Sequence, residues 1–338
     1  MSKKVFVMGG TGAMGRYLIP QLRADGWTVD VLSLDAWEST DPCLKYYVGD
    51  AKDPETVSKF LENGYDAIVD FMTYHTDRFA AWHEMLLSST KHYIYLSSYR
   101  VYANEEHPVR ETSPRLLEAS HDAKFLASDD YSLYKARGED ILKKSAFRNW
   151  TAVRPAITYS SRRFQLVTLE MPMVVGRALM GKKVVLPRAA KDVQATMSWA
   201  GDVASMIAGL LLREDAFGEI FSTCTAEHHT WGEIADYYHE LVGLEAVWVD
   251  TEDFIKAIDG ELPNLWQLCY DRLFDRVMDN SKILRFLGWD QGDLMPLYEG
   301  LKRELDGLPR DNMVADGIYD PENHRQIAMD RYLGINGL

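Results

Sequence analysis

A tyrosine and a lysine one helical turn apart, Tyr131 and Lys135 in Tyr131-Ser132-Leu133-Tyr134-Lys135, are suited to moving a proton. At this spacing both side chains lie on one helical face. An ammonium beside a phenol favours the phenolate, so the pair suits general acid/base work near neutral pH. Ser98 follows the apolar run 92–96, within Ser97-Ser98-Tyr99-Arg100-Val101-Tyr102. At the C-terminal end of a strand its hydroxyl can hydrogen-bond the same substrate oxygen. Alone, a Tyr-x-x-x-Lys pair is a weak signal, with about one occurrence expected by chance in a chain this rich in both. Its force comes from order and context.

The context begins at the N-terminal end. Met8-Gly9-Gly10-Thr11-Gly12-Ala13-Met14-Gly15 places glycines 9, 12 and 15 at a Gly-x-x-Gly-x-x-Gly spacing between an apolar strand and a helical pattern. One glycine makes a tight turn, one lets the backbone approach a pyrophosphate, and one lets helix pack on strand. The helix start then offers N–H groups and a positive dipole end to phosphates. The segment after the second strand, Leu32-Ser33-Leu34-Asp35-Ala36-Trp37-Glu38, holds two acids and no base. Acids there favour NAD through its ribose hydroxyls. Counting from the glycines puts Ser33 at the tip and Asp35 beyond it, and a small polar tip leaves NADP open.

Such groups need a scaffold that aims them at one place. The chain has 338 residues, enough for roughly two domains or one large α/β unit. Apolar runs at 4–8, 29–34, 46–48, 67–71 and 92–96 alternate with helical patterns at 12–24, 54–61 and 78–87. That alternation predicts βαβ units and a parallel sheet, and the lack of polar alternation within strands predicts helices on both faces. Beyond Arg154-Pro155 helical patterns dominate, at 164–179, 202–212, 231–241 and 294–305. The division expected is 1–155 for a Rossmann-type doubly wound domain and 156–338 for a smaller, mostly helical C-terminal substrate lobe, with the chain free to cross between them. The stretch 310–338 is polar and aperiodic; tail, lid and dimer arm all fit it.

Composition narrows the partners. The net charge of −14 argues against nucleic acid and anionic membranes. Cys43, Cys224 and Cys269 suggest neither a disulfide framework nor a zinc site, and no metal is expected. No apolar stretch approaches a membrane span and the apolar start is too short for a signal peptide, so a cytoplasmic protein is expected. Arg162 and Arg163 could meet a phosphate or carboxylate, beside the plainer reading of surface arginines.

Taken together these motifs resemble the extended short-chain dehydrogenase/reductase family, in its sugar-nucleotide epimerase/dehydratase branch. The glycine loop, with Gly10-Thr11 in its first steps, is similar to that family's TGxxGxxG motif. Ser98, Tyr131 and Lys135 match its active-site residues, and Arg154-Pro155 its R-P after the sixth strand. Gly49-Asp50 resembles the G-D whose acid meets the adenine. Asn280-Ser281-Lys282 through Leu287-Gly288-Trp289 resembles its C-terminal "SK…LGW".

The resemblance implies Tyr131 as general acid/base, Lys135 as its partner and holder of the nicotinamide ribose, and Ser98 as positioner of the reacting oxygen. It implies a cofactor site of Gly9, Thr11, Gly12, Ala13, Met14, Gly15, Ser33, Asp35, Asp50, Ala51, Phe71, Met72, Lys135 and Pro155. Thr73, Tyr99, Arg100, Arg162, Trp199 and Arg272 are the candidates for substrate contact. A homodimer through the helices after strands four and five is a further implication.

The departures matter. Ile157 stands where the family's R-P-x-N has asparagine. Tyr99 and Arg100 stand where its 4,6-dehydratases carry Asp-Glu. Trp199-Ala200-Gly201-Asp202 has lost the histidine of H-V-x-D. The expectation is therefore an NAD-dependent epimerase of a nucleotide-linked or related sugar, acting through a transient ketone. An NAD(P)-dependent reductase or dehydrogenase is the alternative, and a non-catalytic dinucleotide sensor or RNA-associated member a third.

Overall fold

The computed structural model describes residues 3–260 and 262–334; Met1, Ser2, Glu261 and 335–338, including the end of the aperiodic tail, lie outside the described residues. The chain forms two compact units. The first comprises Met1–Thr158, Ser198–Thr225 and Asp279–Leu294, and the second Tyr159–Met197, Ala226–Met278 and Met295–Leu338.

In the first unit the apolar runs become strands and the amphipathic runs become helices. The order is β1 (Lys4–Met8), α1 (Gly15–Ala24), β2 (Thr28–Ser33), β3 (Leu44–Val48), α2 (Pro54–Leu61), β4 (Tyr65–Asp70), α3 (Thr76–Ser88) and β5 (Thr90–Leu96). Two short helices follow, α4 (Leu116–Ala119) and α5 (Ala123–Leu126), then α6 (Tyr131–Lys144) and β6 (Trp150–Val153). All neighbouring strands run parallel, in the order β3-β2-β1-β4-β5-β6, with Glu219–Phe221 added beside β6 as a seventh. This last strand is short and remote in sequence, and only its pairing with Thr151–Val153 reveals it.

The sheet divides the core in two. Val5, Val7, Val29, Val31 and Val69 face one apolar cluster with Leu18 and Ile19 of α1; Phe6, Met8, Ile68, Tyr93 and Tyr95 face the other with Phe79 and Trp82 of α3. Strands β1, β2, β4, β5 and β6 thus bury both faces, which explains their continuous apolar pattern, whereas the edge strand β3 leaves Lys45 and Val48 exposed. Chain order reverses between β1 and β4, and the C-terminal strand ends at such a switch are the usual ligand position in sheets of this kind.

The second unit departs from one expectation. Residues 164–179 are helical only from about Pro172 onward. Val167 sits at φ +53, Leu166 and Leu169 pair as an isolated bridge, and Pro172 removes a helical donor. The 310–334 stretch is packed rather than trailing. Helix His324–Tyr332 lies on Thr251–Ala257, Arg177 bonds Gln326 and Asp330, and Gly176 lies so close to Ile318 that an added Cβ would stand 2.3 Å from its carbonyl oxygen. Among the described residues no helix is long and apolar enough to cross a membrane, and none of the three cysteines forms a disulfide.

Candidate active site

The glycine loop leaves β1 at the centre of the sheet, and its three spaced glycines are needed for three different reasons. Gly9 has φ +73, a region costly for other residues, and a Cβ there would meet Met72 Sδ at 2.7 Å. At Gly15 a Cβ would lie 2.0 Å from the Gly10 carbonyl oxygen, because α1 packs directly on the loop. At Gly12 the only neighbour within 4 Å is Gly9 O, at 3.6 Å. Among the described residues, then, no close contact demands a glycine at position 12. Its exposed face, beside the start of α1, is a cradle that a side chain would fill and a pyrophosphate could occupy.

Thr11 carries the loop across to the end of β2, its hydroxyl donating to Asp35 at 2.5 Å. Ser33 is buried at the strand end and its Oγ accepts the Asp35 N–H at 3.3 Å, so serine and acid form one turn. Asp50 is exposed and accepts the Lys52 N–H, while Ala51 is a core residue. Ala13 and Met14 line the loop, and Met14 leads into α1 without a side-chain cap.

Lys135 is fully buried and spans two strand ends. Its ammonium donates to Leu96 O, at the end of β5, and to Met72 O at 3.2 Å, just beyond β4. Nζ lies 5.1 Å from the Tyr95 ring centroid and 5.8 Å from that of Tyr131. Burial pushes the ammonium down to about 8; Asp70 and Glu139 raise it and Lys52 lowers it.

Tyr131 is the first residue of α6. Asp130 caps that helix by accepting the Ser132 N–H at 3.0 Å. Asp129, at φ +49, accepts from Thr76 N, Thr76 Oγ1 and Arg137, which ties the start of α6 to the start of α3. Ser98 reaches the same place through Arg100. The Arg100 N–H donates to Ser98 Oγ at 3.2 Å, and its guanidinium lies 5.0 Å over the Tyr131 ring with Nη2 3.7 Å from Asp130. Tyr99 is buried, and its N–H donates to Pro155 O, fixing this turn on the segment after β6.

Sequence reasoning missed the support beneath these groups. Glu139, one turn beyond Lys135 on α6, is buried and accepts from Ser97 Oγ at 2.5 Å, Arg154 Nε at 2.7 Å and Nη2 at 2.5 Å, and Arg115 at 3.2 Å. Burial pushes its carboxyl up, but Arg154, Ser97 and Arg115 outweigh that and hold it below the usual range. The Arg154 guanidinium also stacks 4.7 Å over Tyr102. The visible signal was Lys135 and Glu139 at i and i+4, with an arginine after β6. Asp70, the last residue of β4, was also missed.

Trp199 stacks against Tyr17 of α1, with ring centroids 5.1 Å apart. Phe71, Met72 and Thr73 form the half-buried turn after β4, where Lys52 Nζ approaches Thr73 Oγ1 at 3.4 Å. Arg162, in the second unit, is exposed. Arg272 is enclosed within that unit: its nitrogens bond Val167 O, Asp271 and Gln165 Oε1, and it lies 5.8 Å over the Trp231 ring. Those bonds commit Nε, Nη1 and Nη2 inside the unit, which reads as a core arginine. His229 meets Glu227 at 2.9 Å, and no group of three metal-ligating side chains occurs among the described residues.

The sequence matches the NAD(P)H-binding family over residues 9–177, half of the chain. No curated protein matches it. Among solved structures, it is similar to an epimerase from Methanothermobacter thermautotrophicus at a TM-score of 0.67 and 16% identity, covering 98% of this chain and 94% of that one. It is similar to dTDP-glucose 4,6-dehydratase from Bacillus anthracis, in complex with NAD, at a TM-score of 0.67 and 16% identity, covering 90% and 96%. The likeness to Thermus thermophilus UDP-glucose 4-epimerase, also with NAD, has a TM-score of 0.64 and 19% identity, covering 90% and 98%. At these identities the likeness establishes a shared fold.

Proposed function

This chain belongs to the NAD(P)H-binding family, and on that premise we propose that it is an NAD-dependent epimerase of a sugar or nucleotide-linked sugar, working through a transient ketone. The observation that carries the reading is Lys135, which joins the ends of β4 and β5 beneath the Tyr131 ring in the unit that holds the open glycine loop.

Gly9, Thr11, Gly12, Ala13, Met14 and Gly15 would hold the pyrophosphate of NAD, with Ser33 and Asp35 toward its adenosine ribose and Lys135 toward the nicotinamide ribose. Bound NAD would supply reversible hydride transfer at the substrate carbon, with no net consumption of cofactor. Tyr131 takes the proton from the substrate hydroxyl as the ketone forms and gives it back as the ketone is reduced. The Lys135 ammonium, 5.8 Å from the Tyr131 ring centroid, sets a positive charge beside the group that exchanges the proton. Ser98 holds the substrate oxygen in line. Tyr99 is buried and Arg100 covers Tyr131, so neither supplies the acid that water elimination would need; epimerisation is favoured over dehydration.

A second reading, a net dehydrogenase or reductase of a small carbonyl or hydroxyl compound, is favoured by one feature. With Ile157 in place of asparagine and Arg272 enclosed, two groups expected to read a nucleotide diphosphate are missing or occupied. The deciding experiment incubates the protein with NAD and a panel of sugars and nucleotide sugars, following reduced-nicotinamide absorbance together with product stereochemistry. Inverted product at constant absorbance supports epimerisation. Sustained accumulation of reduced cofactor supports the dehydrogenase reading. Unchanged turnover in Tyr131→Phe would reject both.

A further inference from the structure

Asp70 ends β4 at the topological switch of the sheet and is 1% exposed. Its carboxyl accepts from Tyr93 Oη at 2.7 Å, from Tyr74 Oη at 3.0 and 3.1 Å, and from the Met72 N–H at 2.9 Å. Three donors around one carboxyl suit the ionised form, which only accepts. A charge this deep is costly unless a partner cation stands close. Met72 shows where that cation is, because its N–H bonds Asp70 while its C=O takes the Lys135 ammonium. The direct partners of Lys135 are main-chain carbonyls, which carry no full charge and cannot by themselves hold an ammonium out of water.

We propose that Asp70 is the buried counter-charge that keeps Lys135 an ammonium beside Tyr131, and so is a positioning residue for the proton transfer. The inference rests on the acid/base reading of Tyr131 given above. Other groups facing Lys135 do not take over this role. Glu139, on the same helix, is already shared by Arg154 and Arg115. Lys52, after β3, repels the ammonium, and Tyr95 of β5 and Tyr131 present rings. The attraction is mutual: burial holds the Asp70 carboxyl above its usual range, and Tyr93, Met72, Lys135 and Tyr74 offset part of that rise.

The test follows Lys135 directly, without turnover. Protein carrying 13C at lysine Cε is titrated by NMR, the Lys135 resonance being assigned by its loss in Lys135→Arg. In the parent the midpoint is expected at about 8. In Asp70→Asn, nearly isosteric, it falls by about one to three pH units, the range for losing one close opposite charge. Asp70→Ser, smaller and likewise neutral, lowers the midpoint in the same direction and decides the matter if Asp70→Asn does not fold. A midpoint unmoved in the variants that fold overturns the proposal. Tyr131→Phe leaves this readout intact, so full turnover in that variant would defeat the acid/base reading while the Asp70 result stood or fell separately.

Discussion

Replacing Glu139 by glutamine tests whether the buried ion pair under the active site holds it in place. The carboxylate joins Ser97, at the end of β5, to Arg154, after β6, and to Arg115, all from a helix that starts at Tyr131 and carries Lys135 one turn on. The amide keeps the shape and one acceptor for Ser97. Arg115 retains Glu118 and Asp140. Arg154, 1% exposed, keeps only neutral contacts that the structure identifies, the Glu111 carbonyl and the Tyr102 ring. Removing one partner of a buried pair typically costs about 3–5 kcal/mol, because the other charge is left uncompensated. That is a large part of the roughly 5–15 kcal/mol that a folded domain has in hand.

The pH dependence gives a second signature. Glu139 is held below its usual range in the folded protein, so its contribution is present above the unfolded value of about 4.3 and fades as pH falls through the folded one. Urea unfolding near neutral pH and again in acid measures both. The variant should lose about 3 kcal/mol or more near neutrality and much less in acid, where the parent loses the pair as well. A variant within about 0.5 kcal/mol of the parent at neutral pH would show that the pair holds nothing.

Three further outcomes are expected. Tyr131→Phe lowers kcat by about two to four orders of magnitude while the affinity for NAD, read by fluorescence titration, changes little. Gly12→Val folds normally, since only Gly9 O lies near its Cβ, yet loses NAD binding; Gly15→Ala loses stability, because its Cβ collides with the Gly10 backbone. Normal NAD affinity in Gly12→Val would refute the cradle. Lys135 is buried with its ammonium pushed down to about 8, so the unfolded chain, with lysine near 10.4, binds more protons between those values. Stability should therefore rise with pH across that interval by more in the parent than in Lys135→Met.

Much of this was readable in order along the chain, because it depends on near neighbours. The strands and helices of the first half follow from apolar runs and helical periods a few residues long. The glycine loop is legible because turn, cradle and packing contact fall within seven residues. Tyr131 and Lys135 are legible because a helix sets their spacing. Local patterns misled at 164–179, where apolar spacing suggested a helix and the strained Val167 and the Leu166–Leu169 bridge interrupt it.

By itself the sequence determined a doubly wound parallel sheet, a phosphate-type loop and a tyrosine–lysine pair, since each is encoded by residues close in the chain. Only the tertiary structure decided what surrounds them. Lys135 meets Met72 and Leu96, 63 and 39 residues away. Asp70 gathers Tyr93 and Met72 around one carboxyl, Glu139 collects two arginines, and Arg272 is closed off by Val167, 105 residues distant. Burial and paired charge set the state of these groups, and both belong to the assembled fold rather than to any short segment.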